Sequence, residues 1–538
     1  MTLNKVQITG LVAGGIGFVV PLLINIPGLA LAGSLALSIF LMAAVFWMFE
    51  PIPIYATSLL VILLQILLLS GQGLIYSGKK LPTATPESVE SQQWNVPSRA
   101  LTADGKLYLL RDDGETVARE VEVIARDEEA GMVTVEAPFL YSESRVAADV
   151  THPLAEFNPN PYSDFMGTLA DPIIILFLGG FSLAGAAVKY KLDRNLTRIL
   201  LAPFGKRPGF IIMGLMSVTA LLSAFMSNTA TTAMMMTVII PIIAQTQKGD
   251  PVRIGLALSI PFAANIGGIA TPIGTPPNAI VLANLAQQGI SISFGYWMVL
   301  ALPLVLIMLL VAWAVLNWFF PANTESIELE IKEHFRTSSK AYILYGIFLL
   351  TVLLWITSSL HGISSTIVAL IPVVGLTLTQ VLEKEDIREL PWEVLWLMAG
   401  GISLGISMEN TGLASWMIQQ IGWGAMSVTV LFLIFGIVGL VLSNFISNTV
   451  TASLVVPLAM TTAMSSATSG FSMIVLVLVV GVSASLAMVL PISTPPNAIA
   501  MSTEMVTTRQ MAKAGTVIGI VGVVVTLGYA LFYWPILF

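Results

Sequence analysis

Ser223, Ser227-Asn228-Thr229 and Gly274-Thr275-Pro276-Pro277-Asn278-Ala279 break an otherwise apolar stretch, and the series returns as Ser443, Ser447-Asn448-Thr449 and Ser493-Thr494-Pro495-Pro496-Asn497-Ala498. The first two pairs recur at an offset of 220 and the third at 219, while Gly179-Gly180-Phe181-Ser182-Leu183 returns as Gly400-Gly401-Ile402-Ser403-Leu404 at 221. Pairs in one order at nearly constant spacing define an internal repeat. Each Pro-Pro removes backbone donors and stops a helix. The freed backbone groups are tolerable at membrane depth only inside protein or along a polar cavity. Paired breaks of this kind predict a binding site between broken helices near the bilayer midplane.

The surroundings are membrane-like. Of 538 residues, 56% are hydrophobic and 10% charged, and apolar runs long enough to cross a core of about 30 Å recur along nearly the whole chain. About eleven spans are expected, including a retained first one after Lys5. An odd number of crossings separates corresponding points, so one repeat is inverted relative to the other. The connecting loops sort into two sets. Sixteen of the 24 basic residues fall in one set, and the other eight lie in a long polar insertion. By the positive-inside rule the first set is cytoplasmic. The amino terminus is then inside and the carboxyl terminus outside. Residues 79–164 hold sixteen acids and eight bases, so the acidity of the chain belongs to the insertion.

The expected fold is an all-α polytopic membrane protein with an inverted repeat, two re-entrant hairpins and a small β-rich external insertion. Residues 1–71 form three scaffold spans and 72–165 the extracytoplasmic insertion. Residues 166–205 give the scaffold helix of the first repeat, and 206–320 its hairpin and broken span. Residues 321–424 supply the scaffold spans of the second repeat, and 425–538 its hairpin, broken span and last span. Within the insertion, Leu107 to Arg111, Thr116 to Ala125 and Met132 to Glu136 alternate in polarity between turns at Asp112-Asp113-Gly114 and Glu128-Glu129-Ala130-Gly131, which predicts a three-stranded meander.

Several features carry no site. The chain has no cysteine, so thiolate metal sites are excluded. His152, His334 and His361 are scattered without a second ligand at useful spacing. Glu50, Asp171, Glu393, Glu409 and Glu504 sit at span ends, where capping and interface solvation explain them. Met234-Met235-Met236 reads as adaptable packing. No metalloprotease, nucleophile-elbow or phosphate-loop motif accompanies the spans, and no nucleic-acid partner is indicated, so an enzyme is disfavoured.

The chemistry at the breaks is neutral. Hydroxyls, Asn oxygens and opened carbonyls suit a small hard cation, while Asn amides, hydroxyls and exposed helix N-termini suit an anion. No Lys, Arg or His lies near these motifs. A divalent anion would meet no formal positive charge there, and charge in a membrane is costly. Co-transported cations follow from the missing arginine.

The paired Ser-Asn-Thr and Thr-Pro-Pro-Asn-Ala motifs, with Asp171-Pro172 opening a span that reaches Gly179-Gly180, resemble the divalent anion:sodium symporter family, which carries succinate, citrate and sulfate. The resemblance implies a homodimer in the inner membrane that imports a small divalent anion with sodium by an elevator motion; succinate is the expected substrate. It implies substrate contacts at Ser227, Asn228, Thr229, Ser447, Asn448, Thr449, Thr275, Pro276, Thr494 and Pro495. One sodium would be held by Ser223, Ser227, Asn228 and Gly274, a second by Ser443, Ser447, Asn448 and Ser493. Ser443 stands where relatives often have threonine, and Ser493 where alanine is usual. A sodium-independent dicarboxylate exchanger, a sulfate symporter and a sodium/proton antiporter are the alternatives.

Overall fold

The computed structural model describes residues 4–77, 79, 83–90, 92–102, 105–110, 116–127, 130–141, 144–148, 157–327, 335–420, 426–465 and 470–538. Three helices open the chain: α1 (Lys5–Leu23), α2 (Leu31–Phe49) and α3 (Ile54–Leu69). Eight strands follow: β1 (Thr83–Ala84), β2 (Glu87–Glu90), β3 (Gln93–Pro97), β4 (Lys106–Leu110), β5 (Thr116–Glu120), β6 (Glu122–Asp127), β7 (Met132–Glu136) and β8 (Arg145–Ala147). The rest is helical: α4 (Tyr162–Gly167), α5 (Pro172–Lys189), α6 (Leu192–Leu201), α7 (Pro208–Phe225), α8 (Asn228–Ala244), α9 (Val252–Gly268), α10 (Pro276–Gln287) and α11 (Phe294–Phe319). Then come α12 (Ser339–Ile356), α13 (Ser358–His361), α14 (Ser365–Leu378), α15 (Lys384–Arg388), α16 (Trp392–Asn410) and α17 (Leu413–Gln419). The chain closes with α18 (Val428–Phe445), α19 (Asn448–Ser465), α20 (Gly470–Ser485), α21 (Pro495–Ser502), α22 (Thr508–Gly528) and, after a π-helical turn, α23 (Trp534–Leu537).

Among the described residues, nine helical segments have the length and hydropathy of a membrane span. These include α7 and α18, the first arms of the two hairpins, and leave out α3, α14 and the broken spans α9–α10 and α20–α21.

One compact unit comprises residues 1–45, 60–167 and 406–417 and holds the β insertion. Among the described residues the insertion forms two four-stranded antiparallel sheets, ordered β1-β8-β4-β5 and β2-β3-β7-β6, not a three-stranded meander. The chain leaves the first sheet at Val121, so Thr116 to Ala125 is two strands in different sheets rather than one. Trp94, Val96, Leu107, Val133, Val135 and Val146 fill the core between them. β3 lies outside the three segments expected, although its burial alternates, with Trp94 and Val96 inward. The Asp112-Asp113-Gly114 turn, Glu128-Glu129, Arg111, His152 and His334 lie outside the described residues.

The other unit, residues 46–59, 168–405 and 418–538, contains both repeats. The pairs α5/α16, α7/α18, α8/α19, α9/α20 and α10/α21 correspond. α10 packs against α19 and α20, while α21 packs against α8 and α9. Reciprocal contacts of this kind are what a two-fold relation between the halves requires. The paired glycines divide their tasks. A Cβ on Gly179 would sit 2.4 Å from Ala369 O of α14, and one on Gly400 would meet Ser58 of α3 at the same distance. Gly180 faces Ile273, and Gly401 faces Ser453. Each double glycine thus lets one helix approach two neighbours closely, one of them a broken segment or a hairpin arm.

The acidic span ends behave as caps or helix ends. Asp171 accepts from Ile173 N at 2.8 Å and opens α5; Glu393 lies in the first turn of α16; Glu50 and Glu504 take positive φ after α2 and α21. Glu409 lies in the last turn of α16. His361 ends α13 with its ring against Leu354 O and Ile363 N. All three of Met234, Met235 and Met236 are buried.

A buried carboxylate fastens the loop after α11. Asp250, 4% exposed, accepts from Val252 N at 3.1 Å, from Asn323 N, from Thr324 N at 2.8 Å and from Thr324 Oγ1 at 2.6 Å. Burial opposes the charge, but the bonds from Thr324, Val252 and Asn323 prevail and hold its carboxyl below the usual carboxylate range. A depressed folded value means the stabilisation is present above the unfolded value of about 3.9 and is lost as pH falls through the folded one. Asp250→Asn should cost about 1–3 kcal/mol near neutrality. Thermal midpoints in detergent should therefore converge as pH drops below about 5, wild type falling further than the variant.

Candidate functional site

The candidate site is two helix breaks and two hairpin tips. α7 ends at Phe225 and α8 starts at Asn228; α18 ends at Phe445 and α19 starts at Asn448. Thr231 N bonds Ser227 O at 2.9 Å, and Thr451 N bonds Ser447 O at 2.9 Å, so each serine is the last residue before its helix. The amides of the first turn then lack intrahelical acceptors and point outward. In α19 the Val450 amide is taken by Ser447 Oγ at 3.3 Å. Ser227 makes no such cap, leaving the first turn of α8 open. Thr229 is exposed in that turn, whereas Thr449 is buried.

The broken spans are held open from inside by their own asparagines. Asn278 Nδ2 donates to Thr271 O at 2.8 Å, Gly268 O at 3.0 Å and Ile269 O at 3.3 Å. Its counterpart Asn497 donates to Leu490 O at 3.1 Å and Ser493 Oγ at 3.3 Å. Each loop is also tied to a hairpin arm. Thr271 Oγ1 donates to Ala224 O, and Val489 N donates to Asn444 Oδ1 at 2.9 Å. Leaving such carbonyls bare in a dry interior would cost about 1–3 kcal/mol each.

An identical contact recurs next to each tip. Ser223 Oγ donates to Ala264 O at 2.9 Å, and Ser443 Oγ donates to Ala484 O at 2.7 Å. These pairs keep the offset of 220, so the one-residue loss that makes the Pro-Pro pairs 219 apart lies between Ala264 and Thr275.

In the first repeat, Ser223, Asn228 and Gly274 come together, with Ala264 added. The Asn228 carboxamide, its nitrogen inward, donates to Ser223 Oγ at 2.5 Å, Gly274 O at 3.0 Å and Ala264 O at 3.2 Å. Turned about, Oδ1 would join three oxygens, and a small cation would be the group to bridge them. Two glycines make room. A Cβ on Gly268 would lie 2.6 Å from the Asn228 carboxamide, and one on Gly274 would lie 2.3 Å from Gly268 O.

The second repeat is assembled differently. Asn448 Oδ1 accepts from Thr449 Oγ1 at 3.3 Å. Among the described residues no hydrogen bond joins Asn448 to Ser443, Ala484 or Ser493. Ser493 donates its hydroxyl to Leu490 O. Thr275 and Thr494 precede the Pro276 and Pro495 that begin α10 and α21. Thr494 Oγ1 accepts from Asn497 N at 3.4 Å, and Thr275 Oγ1 is buried without a partner. The hydroxyls of Thr231 and Thr451, one turn into α8 and α19, are also buried and unpartnered. Residues 208–247, 254–324 and 410–503 contain no charged residue and no histidine. These segments therefore offer a ligand only neutral dipoles.

Sequence reading did not single out Ala264, Asn278 or Asn497. Asn278 and Asn497 carried a signal, since they recur within the quoted motif. Ala264 contributes only its carbonyl and left none. A cavity of about 590 Å³ beside Asp171, Pro272, Ser293, Ser358 and Thr366 contains none of the expected site residues.

With this geometry in place the class is clear: a helical membrane carrier with an inverted repeat. The family model described as the sodium:sulfate symporter transmembrane region matches residues 162–538, and the chain belongs to that family; it is a transporter rather than an enzyme. It is 29% identical over 416 residues to the sodium-dependent dicarboxylate transporter SdcS of Staphylococcus saprophyticus, covering 70% of this chain and 79% of that one. It is 31% identical over 419 residues to sodium-dependent high-affinity dicarboxylate transporter 3 of Caenorhabditis elegans, covering 66% and 73%. In fold it is similar to the Alcanivorax borkumensis YdaH transporter, with a TM-score of 0.51 at 13% identity, over 74% of this chain and 93% of that one.

Gly274→Ala should push the loop off Gly268 and scatter the oxygen cluster. The sodium-induced rise in thermal midpoint should be lost in that variant. Gly346→Ala, whose added Cβ meets nothing within 4 Å, should keep it.

Proposed function

We propose that the protein is a secondary carrier that imports a small divalent anion, a C4-dicarboxylate such as succinate, together with sodium. The observation that carries this reading is the uncharged pair of breaks. Ser223, Asn228, Ala264 and Gly274 offer converging oxygens to a cation, and the first turns of α8 and α19 offer amides to an anion. The names of the relatives agree with it. Ser227, Asn228 and Thr229 with Ser447, Asn448 and Thr449 then meet the carboxylates, and Thr275, Pro276, Thr494 and Pro495 shape the walls. Ser443, Ser447, Asn448 and Ser493 frame a second cation.

In this reading the cations do what a buried arginine would do elsewhere. The dianion enters as part of a nearly neutral group, which lowers the cost of charge at membrane depth. The hairpins and broken spans move as a transport body against a scaffold that includes α5 and α16, in an elevator motion. The protein works as a homodimer in the inner membrane, its amino terminus cytoplasmic and its β insertion extracytoplasmic.

Purified protein in liposomes tests the reading. Labelled succinate should accumulate above its external level under an inward sodium gradient, and Asn228→Ala should abolish accumulation. Equal uptake with potassium alone would reject sodium coupling and favour exchange. Competition by sulfate at lower concentration than succinate would move the substrate from dicarboxylate to sulfate.

A further inference from the structure

The two-fold relation between the repeats also fails at a buried asparagine. Asn265 is 1% exposed near the end of α9. Its Nδ2 donates across the repeats, to Thr494 Oγ1 at 3.1 Å and Asn497 Oδ1 at 3.2 Å. The Ser223–Ala264 and Ser443–Ala484 contacts make Ser485 its counterpart, and Ser485 bonds back to Gly481 O at 3.0 Å within α20. The link is therefore not returned. Thr275 Oγ1 and Asn278 Oδ1, which correspond to Thr494 Oγ1 and Asn497 Oδ1, have no hydrogen-bond partner.

Asn265 follows Ala264, whose carbonyl belongs to the oxygen cluster of the first repeat. A single planar peptide unit joins that carbonyl to the residue that holds the second repeat's Thr-Pro-Pro-Asn loop. A cation drawing in Ala264 O would thereby fix the donor that sets Thr494, the residue that opens α21. We infer that Asn265 is a positioning residue that couples cation occupancy in the first repeat to anion binding at the second. This inference rests on the sodium-coupled reading above and adds a route to it, between the first repeat's cation and the second repeat's anion contacts.

The coupling is read as the ratio of succinate affinities at high and low sodium, measured by binding to purified full-length protein. Wild type should show a ratio within the roughly 5–150-fold range of ordinary site-to-site coupling. In Asn265→Ala that ratio should fall toward one, while sodium alone still raises the thermal midpoint. Thr494→Val removes the acceptor at nearly constant shape. The Asn265→Ala/Thr494→Val pair should lose no more coupling than either single variant, as expected for residues acting as a unit. A variant that weakens succinate by one factor at every sodium concentration would overturn the inference, since that is a merely structural effect. So would additive losses in the pair, and Thr494→Val supplies the answer if Asn265→Ala does not fold. Absence of any sodium-dependent succinate binding in wild type would instead reject the parent reading.

Discussion

A helix opened inside an apolar layer must give its bared carbonyls new donors. Here the donors are the amides of Asn278 and Asn497. In each broken span the first helix ends well before the prolines, at Gly268 or Ser485; the Pro-Pro pair opens the second helix, and the asparagine directly after it reaches back to hold the unwound loop. The hairpin tips depend on those loops in turn. Gly274 O, a loop carbonyl, faces Asn228 at the first tip, and Val489 N is bonded to the arm that leads to the second.

The same economy sets the recognition chemistry. With no charged residue in 208–247, 254–324 or 410–503, the proposed attraction for ions rests on dipoles already aimed by the fold. Such dipoles lose little on binding because the backbone fixes them beforehand. The first cluster leaves no slack: a methyl group on Gly268 or Gly274 would lie within 2.6 Å of an existing atom. The second contains a serine hydroxyl where the first has a glycine, and its Asn448 has a smaller set of bonds. The halves share a motif but are unequal in detail.

Much of this could be read from the residues. Ser-Asn-Thr, read as preceding a helix N-terminus, located the starts of α8 and α19 at Asn228 and Asn448 closely. Each Pro-Pro, read as stopping a helix, instead opens one, α10 or α21, because proline at the first helical position lacks only an amide that has no intrahelical acceptor. The cross-repeat bond from Asn265 was not legible. It joins residues more than two hundred positions apart, and nothing local distinguishes Asn265 from a helix-capping polar residue. Nor was the sheet change at Val121, since alternation of polarity runs on through Thr116 to Ala125 while the pairing partner changes. Patterns of period two record which face is buried, not which sheet buries it.

An experimental structure of the protein in lipid nanodiscs, with sodium and succinate present, tests the central claim most directly. The account predicts a cation among Ser223 Oγ, Asn228 Oδ1 and the carbonyls of Ala264 and Gly274. It also predicts succinate carboxylates at the first turns of α8 and α19, with no lysine, arginine or histidine in contact. Succinate held by a basic side chain, or tips facing lipid, would contradict it.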